Sequence, residues 1–351
     1  TGLSVTPTSA SFAAAGGTSS ASVTSTVAWT ATSSASWLSL SPSSGSGSST
    51  LSMTAAANTG TSSRTATVAV SGSGVSPVTV SVTQAASSST SVFTEDMGLP
   101  QAIRDYYRSA YGLSGTALKA KLQGIITSTH TPKTYAGLWT MYNTTDVAPN
   151  GKVWDIYSST SADGSTAAYW FTLGTDQAGT YSAEGQVYNR EHSWPKVTFG
   201  GSTSSVPGTD GHHAIPTDGY VNNKRSDYSY GEVGTASWTS QNGSKLGSAR
   251  SGLGFTGTVF EVIDAYKGDI ARMHFYMSLR YYNNSLFASC DWANAGAKLK
   301  PWYATMLKSW AAKDPVSAKE IARNSAVQAY QGNRNPFIDY PELINLIDLT
   351  N

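Results

Sequence analysis

Tyr188-Asn-Arg-Glu-His-Ser-Trp-Pro-Lys196 sets a carboxylate directly before an imidazole, with Arg190 and Lys196 on either side. Further on, Asp210-Gly-His-His-Ala-Ile-Pro-Thr-Asp218 adds two more imidazoles. The chain holds five histidines, and three of them, His192, His212 and His213, fall within 22 positions. Histidine is the side chain best suited to proton transfer near neutral pH. A glutamate and a neutral imidazole can also ligate a divalent ion. On residue types alone the cluster points to metal-assisted hydrolysis. An isolated Glu-His pair is more often structural than functional, so the cluster by itself chooses no substrate.

Outward from this stretch the chain divides in two. One charged residue, Arg64, lies between Thr1 and Thr94; the other 22 basic and all 22 acidic residues lie from Glu95 onward. Ala21–Trp29, Trp37-Leu-Ser-Leu-Ser, Thr50-Leu-Ser-Met-Thr, Arg64–Val70 and Val78–Thr83 alternate apolar with hydroxyl residues. That period of two is the mark of half-buried strands, and Ser41-Pro-Ser-Ser-Gly-Ser-Gly and Ser71-Gly-Ser-Gly supply turns between them. Residues 1–86 are expected to form a small antiparallel β-sandwich, and 87–98 a Ser-rich linker. Residues 99–351 read as α+β. Helices are expected over Leu99–Tyr107, Thr116–Ile126 (capped by Ser114), Val259–Tyr282, Pro301–Ala311 and Ser317–Tyr330, with strands at Val153–Tyr157 and Ala167–Phe171.

Composition excludes several classes. A chain of 351 residues suggests two domains, three at most. Charged residues make up 13%, against a usual value of about 25%, and the net charge of +1 draws in neither a polyanion nor a polycation. Aromatics at 11% rule out a wholly disordered chain. No apolar run approaches the roughly 18 residues of a membrane span. No signal peptide is present, but the chain starts at Thr1 without Met, so that absence says little about a leader. The single Cys290 excludes an intrachain disulfide and a Cys-rich metal site. Neither a P-loop nor a GxGxxG stretch supports a nucleotide cofactor.

In the first quarter, Trp29, Trp37-Leu-Ser-Leu-Ser-Pro, Gly45, Asn58, Arg64-Thr-Ala-Thr-Val and Val80-Ser-Val-Thr-Gln84 follow one another in an order that resembles the BACON domain. The resemblance implies a secreted or surface protein of a bacterium and a carbohydrate- or mucin-binding role, or that of a spacer. Trp29 and Trp37 would be a sugar-stacking face in the first case and sandwich core in the second.

The Tyr188–Lys196 word, followed by His212-His-Ala-Ile-Pro-Thr-Asp-Gly-Tyr-Val-Asn-Asn-Lys-Arg-Ser226, resembles the endonuclease I family of His-Me finger (ββα-metal) nucleases. Further matches run in family order from Leu99 to Ile347. They include Asp105-Tyr-Tyr, Val153-Trp-Asp-Ile-Tyr-Ser, Lys267-Gly-Asp-Ile-Ala-Arg272, Phe275-Tyr-Met-Ser-Leu-Arg-Tyr281 and Gln331-Gly-Asn-Arg-Asn-Pro-Phe-Ile-Asp339. The expected fold class is therefore multidomain: an all-β Ig-like sandwich, then an α+β His-Me finger nuclease domain. The resemblance makes His192 the general base and Glu191 a metal ligand. His213 is the second ligand, and His212 stands behind the ligands rather than among them. The metal would be Mg²⁺, with Mn²⁺ or Ca²⁺ as substitutes. A helix starting near His213 would aim its positive end at the phosphate.

Arg225 is the expected phosphate-binding arginine, since its planar fork suits a phosphate. Arg190, Lys196, Asn222, Lys224 and Arg334 are further candidates for nucleic-acid contact. The implied activity is a secreted, periplasmic or cell-surface, largely nonspecific endonuclease acting on DNA and extending to RNA. It would be monomeric and would leave 5′-phosphate and 3′-hydroxyl ends. Two departures stand out. The Val197–Thr209 interval, where some relatives place a phosphate-binding arginine, holds no Arg or Lys. The nuclease region, with 22 basic and 22 acidic residues, lacks the basic balance of a strong nonspecific DNA binder. Readings from other classes are a carbohydrate-binding surface protein with a weakly active nuclease fold, and a zinc phosphoesterase.

Overall fold

The alternation of small apolar and hydroxyl side chains in the N-terminal region does build strands. The computed structural model describes residues 2–58, 62–86 and 92–350, and the chain falls into two units, Thr1–Thr90 and Ser91–Asn351. The first unit holds β1 (Leu3–Thr6), β2 (Ser9–Phe12), β3 (Gly17–Ser25), β4 (Ala28–Ser33), β5 (Leu38–Ser41), β6 (Ser44–Ser46), β7 (Ser49–Ala55), β8 (Arg64–Gly72) and β9 (Val78–Gln84). They form one sheet in the order β1-β3-β7-β5 and another in the order β2-β9-β8-β4-β6. Pairing is antiparallel except between β2 and β9. Val23, Leu51 and Met53 of the first sheet and Trp29, Val68 and Val80 of the second share one core.

The run from Ala21 to Trp29 is two strands rather than one. The Ser25 hydroxyl donates to the Val27 carbonyl at 2.8 Å and accepts its amide at 3.1 Å. That local bonding breaks the extended chain, so Val23 stays in one sheet and Trp29 enters the other. Trp29 belongs to the core, 2% exposed, with its indole N–H on the Gly47 carbonyl at 2.9 Å. Trp37 is half-buried, with the Arg64 guanidinium 4.4 Å above its ring. The two therefore present no open stacking face.

In the second unit, α1 (Gln101–Tyr107), α2 (Gly115–Ser128) and α3 (Gly137–Thr145) come first. Ser114 sits at the N-cap of α2, but its side chain makes no capping bond. Of the expected linker, residues 87–91 lie outside the described residues. Packing begins before Leu99, because Phe93 is fully buried in the core of this unit and exchanges backbone hydrogen bonds with Gly112 and Leu113.

The strands expected at Val153–Tyr157 and Ala167–Phe171 do not form; only isolated bridges join Val147 to Val153 and Ser159 to Ala167. Asp155 accounts for part of this. Its carboxylate accepts the amides of Tyr157 at 2.7 Å and Asp218 at 3.0 Å, which turns the chain locally in place of a ladder.

Next come β10 (Tyr188–His192), β11 (Ala214–Asp218) and α4 (Gly219–Arg225), then β12 (Ser229–Tyr230), β13 (Val233–Thr239), β14 (Lys245–Ala249) and β15 (Thr258–Glu261). The last four form a sheet in the order β12-β15-β14-β13. The long helix expected from Val259 starts only at Lys267. Val259 and Phe260 pair in β15 with Ser229 and Tyr230, and α5 runs over Lys267–Tyr281. It is not amphipathic: Gly268 to Tyr281 are all buried. The central helix carries its charges into the core as pairs, Arg272 with Glu320 and Asp269 with Lys319. α6 (Pro301–Lys313) and α7 (Ala318–Gln331) follow, and two short helices, Pro336–Asp339 and Leu343–Leu346, come last. The start of α7 is set by a capping box between Ser317 and Glu320.

Candidate active site

β10 and β11 pair antiparallel, with Tyr188 opposite Asp218 and His192 opposite Ala214. The connection returns the chain so that His213 sits beside the end of β10, its carbonyl accepting the Ser193 amide at 3.1 Å. α4 follows β11 at once, its N-cap Asp218 accepting the Val221 amide at 2.8 Å. A hairpin and a short helix thus bring Glu191, His192, His213 and Arg225 together. His213 leads into a strand, and α4 begins only at Gly219, so the helix start expected near His213 is displaced.

Side chains alternate along β10. His192 and Arg190 share Tyr135: the Tyr135 ring stacks on His192 with centroids 5.9 Å apart, and the Arg190 guanidinium lies 3.5 Å over the same ring. Glu191 turns to other partners. Its Oε1 receives Arg225 Nη1 at 2.9 Å, the Tyr157 hydroxyl at 3.1 Å and the Tyr230 hydroxyl at 3.4 Å. All three fall on one oxygen, so Oε2 is without a hydrogen-bond partner among the described residues.

Two consecutive carbonyls fix the imidazoles. His192 Nε2 meets the Gly208 carbonyl at 2.9 Å, and His213 Nε2 meets the Pro207 carbonyl at 2.7 Å. A carbonyl only accepts, so both Nε2 atoms carry the hydrogen and both Nδ1 atoms carry the lone pair. His213 Nδ1 is buried with no partner among the described residues. The loop that supplies these carbonyls needs glycine at 208, since a Cβ there would stand 2.4 Å from the Ser202 carbonyl oxygen.

Burial pushes the His192 imidazole down to about 3, with repulsion from His213 adding to it. Burial pushes His213 down to about 4, against the pull of Asp210. Both rings are neutral at physiological pH. Glu191 is raised by burial, while Arg225 draws it back.

A cleft of about 440 Å³ opens over Glu191 and His192, with Arg190, Lys196 and Asn222 around it. Lys196 is exposed on its rim. Asn222 donates to Asn189 Oδ1 at 2.6 Å. Arg225 also lines the cleft but is 1% exposed. Besides Glu191, its guanidinium donates to the carbonyls of His192 and Ser193.

Three further expected residues have other surroundings. His212 is buried, with Nε2 on the Asn333 carbonyl at 3.1 Å and its ring against Tyr276. Lys224 lies over Tyr220 and Trp238, at 5.2 and 6.0 Å. Arg334 is not available to nucleic acid: it is 2% exposed and forks onto Asp339 at 2.8 and 2.6 Å. Sequence reading missed Tyr135, Trp139, Tyr157 and Tyr230, and also the Pro207 and Gly208 carbonyls. Tyr157 falls in the Val153–Ser158 word, and no local pattern marks the others.

A sheet-rich unit followed by a mixed α/β unit is the order in which two known families match. Residues 2–87 match the viral BACON domain, and residues 114–342 match Endonuclease I. The chain belongs to the endonuclease I family. It is 34% identical over 242 residues to an extracellular ribonuclease of Bacillus amyloliquefaciens, covering 68% of this chain and 75% of that protein. It is 33% identical over 241 residues to an extracellular ribonuclease of Bacillus subtilis (strain 168), covering 68% and 76%. An Endonuclease-1 of Buchnera aphidicola is 27% identical over 130 residues, 37% of this chain and 46% of that one.

Among the described residues, no group of three or more His, Cys, Asp or Glu side chains comes together to hold a metal ion. His213 Nδ1 is buried without a hydrogen-bond partner among the described residues, and an imidazole nitrogen and the Glu191 carboxylate are donor types that a divalent ion takes.

Proposed function

We propose that the chain is a secreted, metal-dependent, largely sequence-nonspecific endonuclease that hydrolyses DNA, with RNA as an alternative substrate, and leaves 5′-phosphate ends. The observation that carries this reading is the tautomer set by Pro207 and Gly208: each carbonyl holds one Nε2–H, leaving a lone pair on the Nδ1 of a neutral imidazole. The β10–β11 hairpin with α4 supports a His-Me finger. The names of the Bacillus relatives support secretion and an RNA substrate.

His192 Nδ1 takes a proton from water, the hydroxide attacks the phosphorus in line with the 3′ oxygen, and the P–O3′ bond breaks to release a 3′ oxygen that takes a proton from solvent. The Gly208 carbonyl stabilises the imidazolium that results, since its Nε2–H already points there. Glu191 Oε2 and His213 Nδ1 would hold a divalent ion, Mg²⁺ or in its place Mn²⁺ or Ca²⁺. When bound, the ion supplies positive charge for the leaving oxygen and the phosphoryl oxygens. Arg225, Tyr157 and Tyr230 hold Glu191 by its other oxygen, which keeps Oε2 turned free.

We place the domain boundary ahead of Phe93 and read the BACON unit as an Ig-like sandwich serving as a spacer, because Trp29 is buried and Trp37 is covered. End-group analysis of the cleaved products tests the chemistry. 5′-phosphate ends support the reading, and 5′-hydroxyl ends with 2′,3′-cyclic phosphates on RNA overturn it.

A further inference from the structure

Two arginines border the cleft, and their surroundings differ in kind. Arg225 cannot fork onto a phosphate without releasing Glu191 and the end of β10, because Nη1 and Nη2 are both engaged there. Arg190 is half-buried on the strand face it shares with His192. Its guanidinium lies 3.5 Å over Tyr135 and 4.4 Å over Trp139, and Nη1 donates to the Tyr135 carbonyl at 2.8 Å. Among the described residues, Nε is enclosed without a partner and Nη2 makes no hydrogen bond. Two aromatic rings thus fix the plane of a cation that lines the cleft and has Nη2 uncommitted.

We propose that Arg190 is the arginine that meets the scissile phosphate, and that Tyr135 and Trp139 are its positioning residues. The inference rests on the nuclease reading above. A guanidinium already fixed in place suits a transition state, since no reorganisation is needed as charge develops on the phosphoryl oxygens. It is also specific to arginine: a lysine would supply charge but no planar fork to lie between the rings. Tyr135 touches both the base and this arginine, so the segment leading into α3 couples proton removal and phosphate binding from outside the sequence word that carries them. Arg225 is then a positioning residue for Glu191.

Steady-state cleavage of a fluorescent single-stranded DNA oligonucleotide by the full chain under Mg²⁺ tests this. Arg190→Ala is expected to lower kcat by about 10²–10³-fold, with the melting temperature held within about 2 °C. Arg190→Lys is expected to stay close to the alanine variant, and added guanidinium to restore part of the Arg190→Ala rate. Tyr135→Leu lowers kcat more than it raises KM, while Tyr135→Phe, which keeps the ring face, recovers most of the rate. Three results overturn the proposal alone, with the wild type active: an Arg190→Ala kcat within a few-fold of wild type, a loss confined to KM, or a loss that follows a fall in melting temperature and ignores guanidinium. A wild-type chain that cuts no nucleic acid overturns the nuclease reading and this proposal with it.

Discussion

Arg225 Nη1 meets Glu191 Oε1 at 2.9 Å, with the two side chains 1% and 2% exposed. Removing two charges from water is costly, and attraction compensates only when further hydrogen bonds complete the pair. Here Tyr157, Tyr230 and two backbone carbonyls complete it.

Arg225→Met would leave a buried carboxylate unpaired. The expected loss is about 3–5 kcal/mol of stability, read by urea denaturation. Adding Glu191→Gln should recover part of it. A loss below about 1 kcal/mol, the size of an exposed pair, would show that water reaches Glu191.

His213→Ala should weaken divalent-ion binding and cleavage together, and His213→Asn should do less harm because its amide offers an oxygen. Titration calorimetry with Mn²⁺ reads the first effect. Unchanged affinity in the alanine variant removes His213 from the ligand set. An asparagine variant as slow as alanine at saturating Mg²⁺ removes only the substitution logic.

The parts of the molecule legible in the sequence are those where a local pattern and the tertiary fold agree. Val78–Thr83 alternates because one side of β9 faces the core, and Glu191-His192 stands out because charged and titratable residues crowd one stretch. Val259–Ile263 misled, because a short apolar run suits a strand and a helix equally, and pairing with Ser229 and Tyr230 decided for the strand. Val153–Tyr157 failed because the Asp155 carboxylate bonds backbone amides and turns the chain. Tyr135 and Trp139 lie in a segment with no charge or histidine cluster, and only the fold carries them to Arg190.

Phe93 is fully buried although it lies in the stretch that reads as linker. A chain starting at Ser91 should melt like the intact second unit and cut free DNA at the full-length rate. Phe93→Ala in the full chain should cost about 3–5 kcal/mol. A chain starting at Leu99 that is equally stable would contradict this packing.

Burial, with repulsion from Asp269, raises the Asp314 carboxyl to about 6. The folded chain therefore holds this proton more tightly than the unfolded chain, whose aspartates titrate near about 3.9. Its contribution to stability is full below about pH 4 and is lost as the pH rises through about 6. Asp314→Asn should gain on wild type across that window and run parallel to it above about pH 7. Melting curves at each pH read the difference, and a constant gap would contradict the shift.

The most direct measurement compares wild type and His192→Ala on single- and double-stranded DNA and RNA under Mg²⁺, Mn²⁺, Ca²⁺ and EDTA. The account predicts cleavage by the wild type that EDTA abolishes. It also predicts a kcat about 10²–10⁴-fold lower in the variant, with nucleic-acid binding nearly unchanged. Cleavage that persists in EDTA, or a variant within a few-fold of wild type, would contradict it.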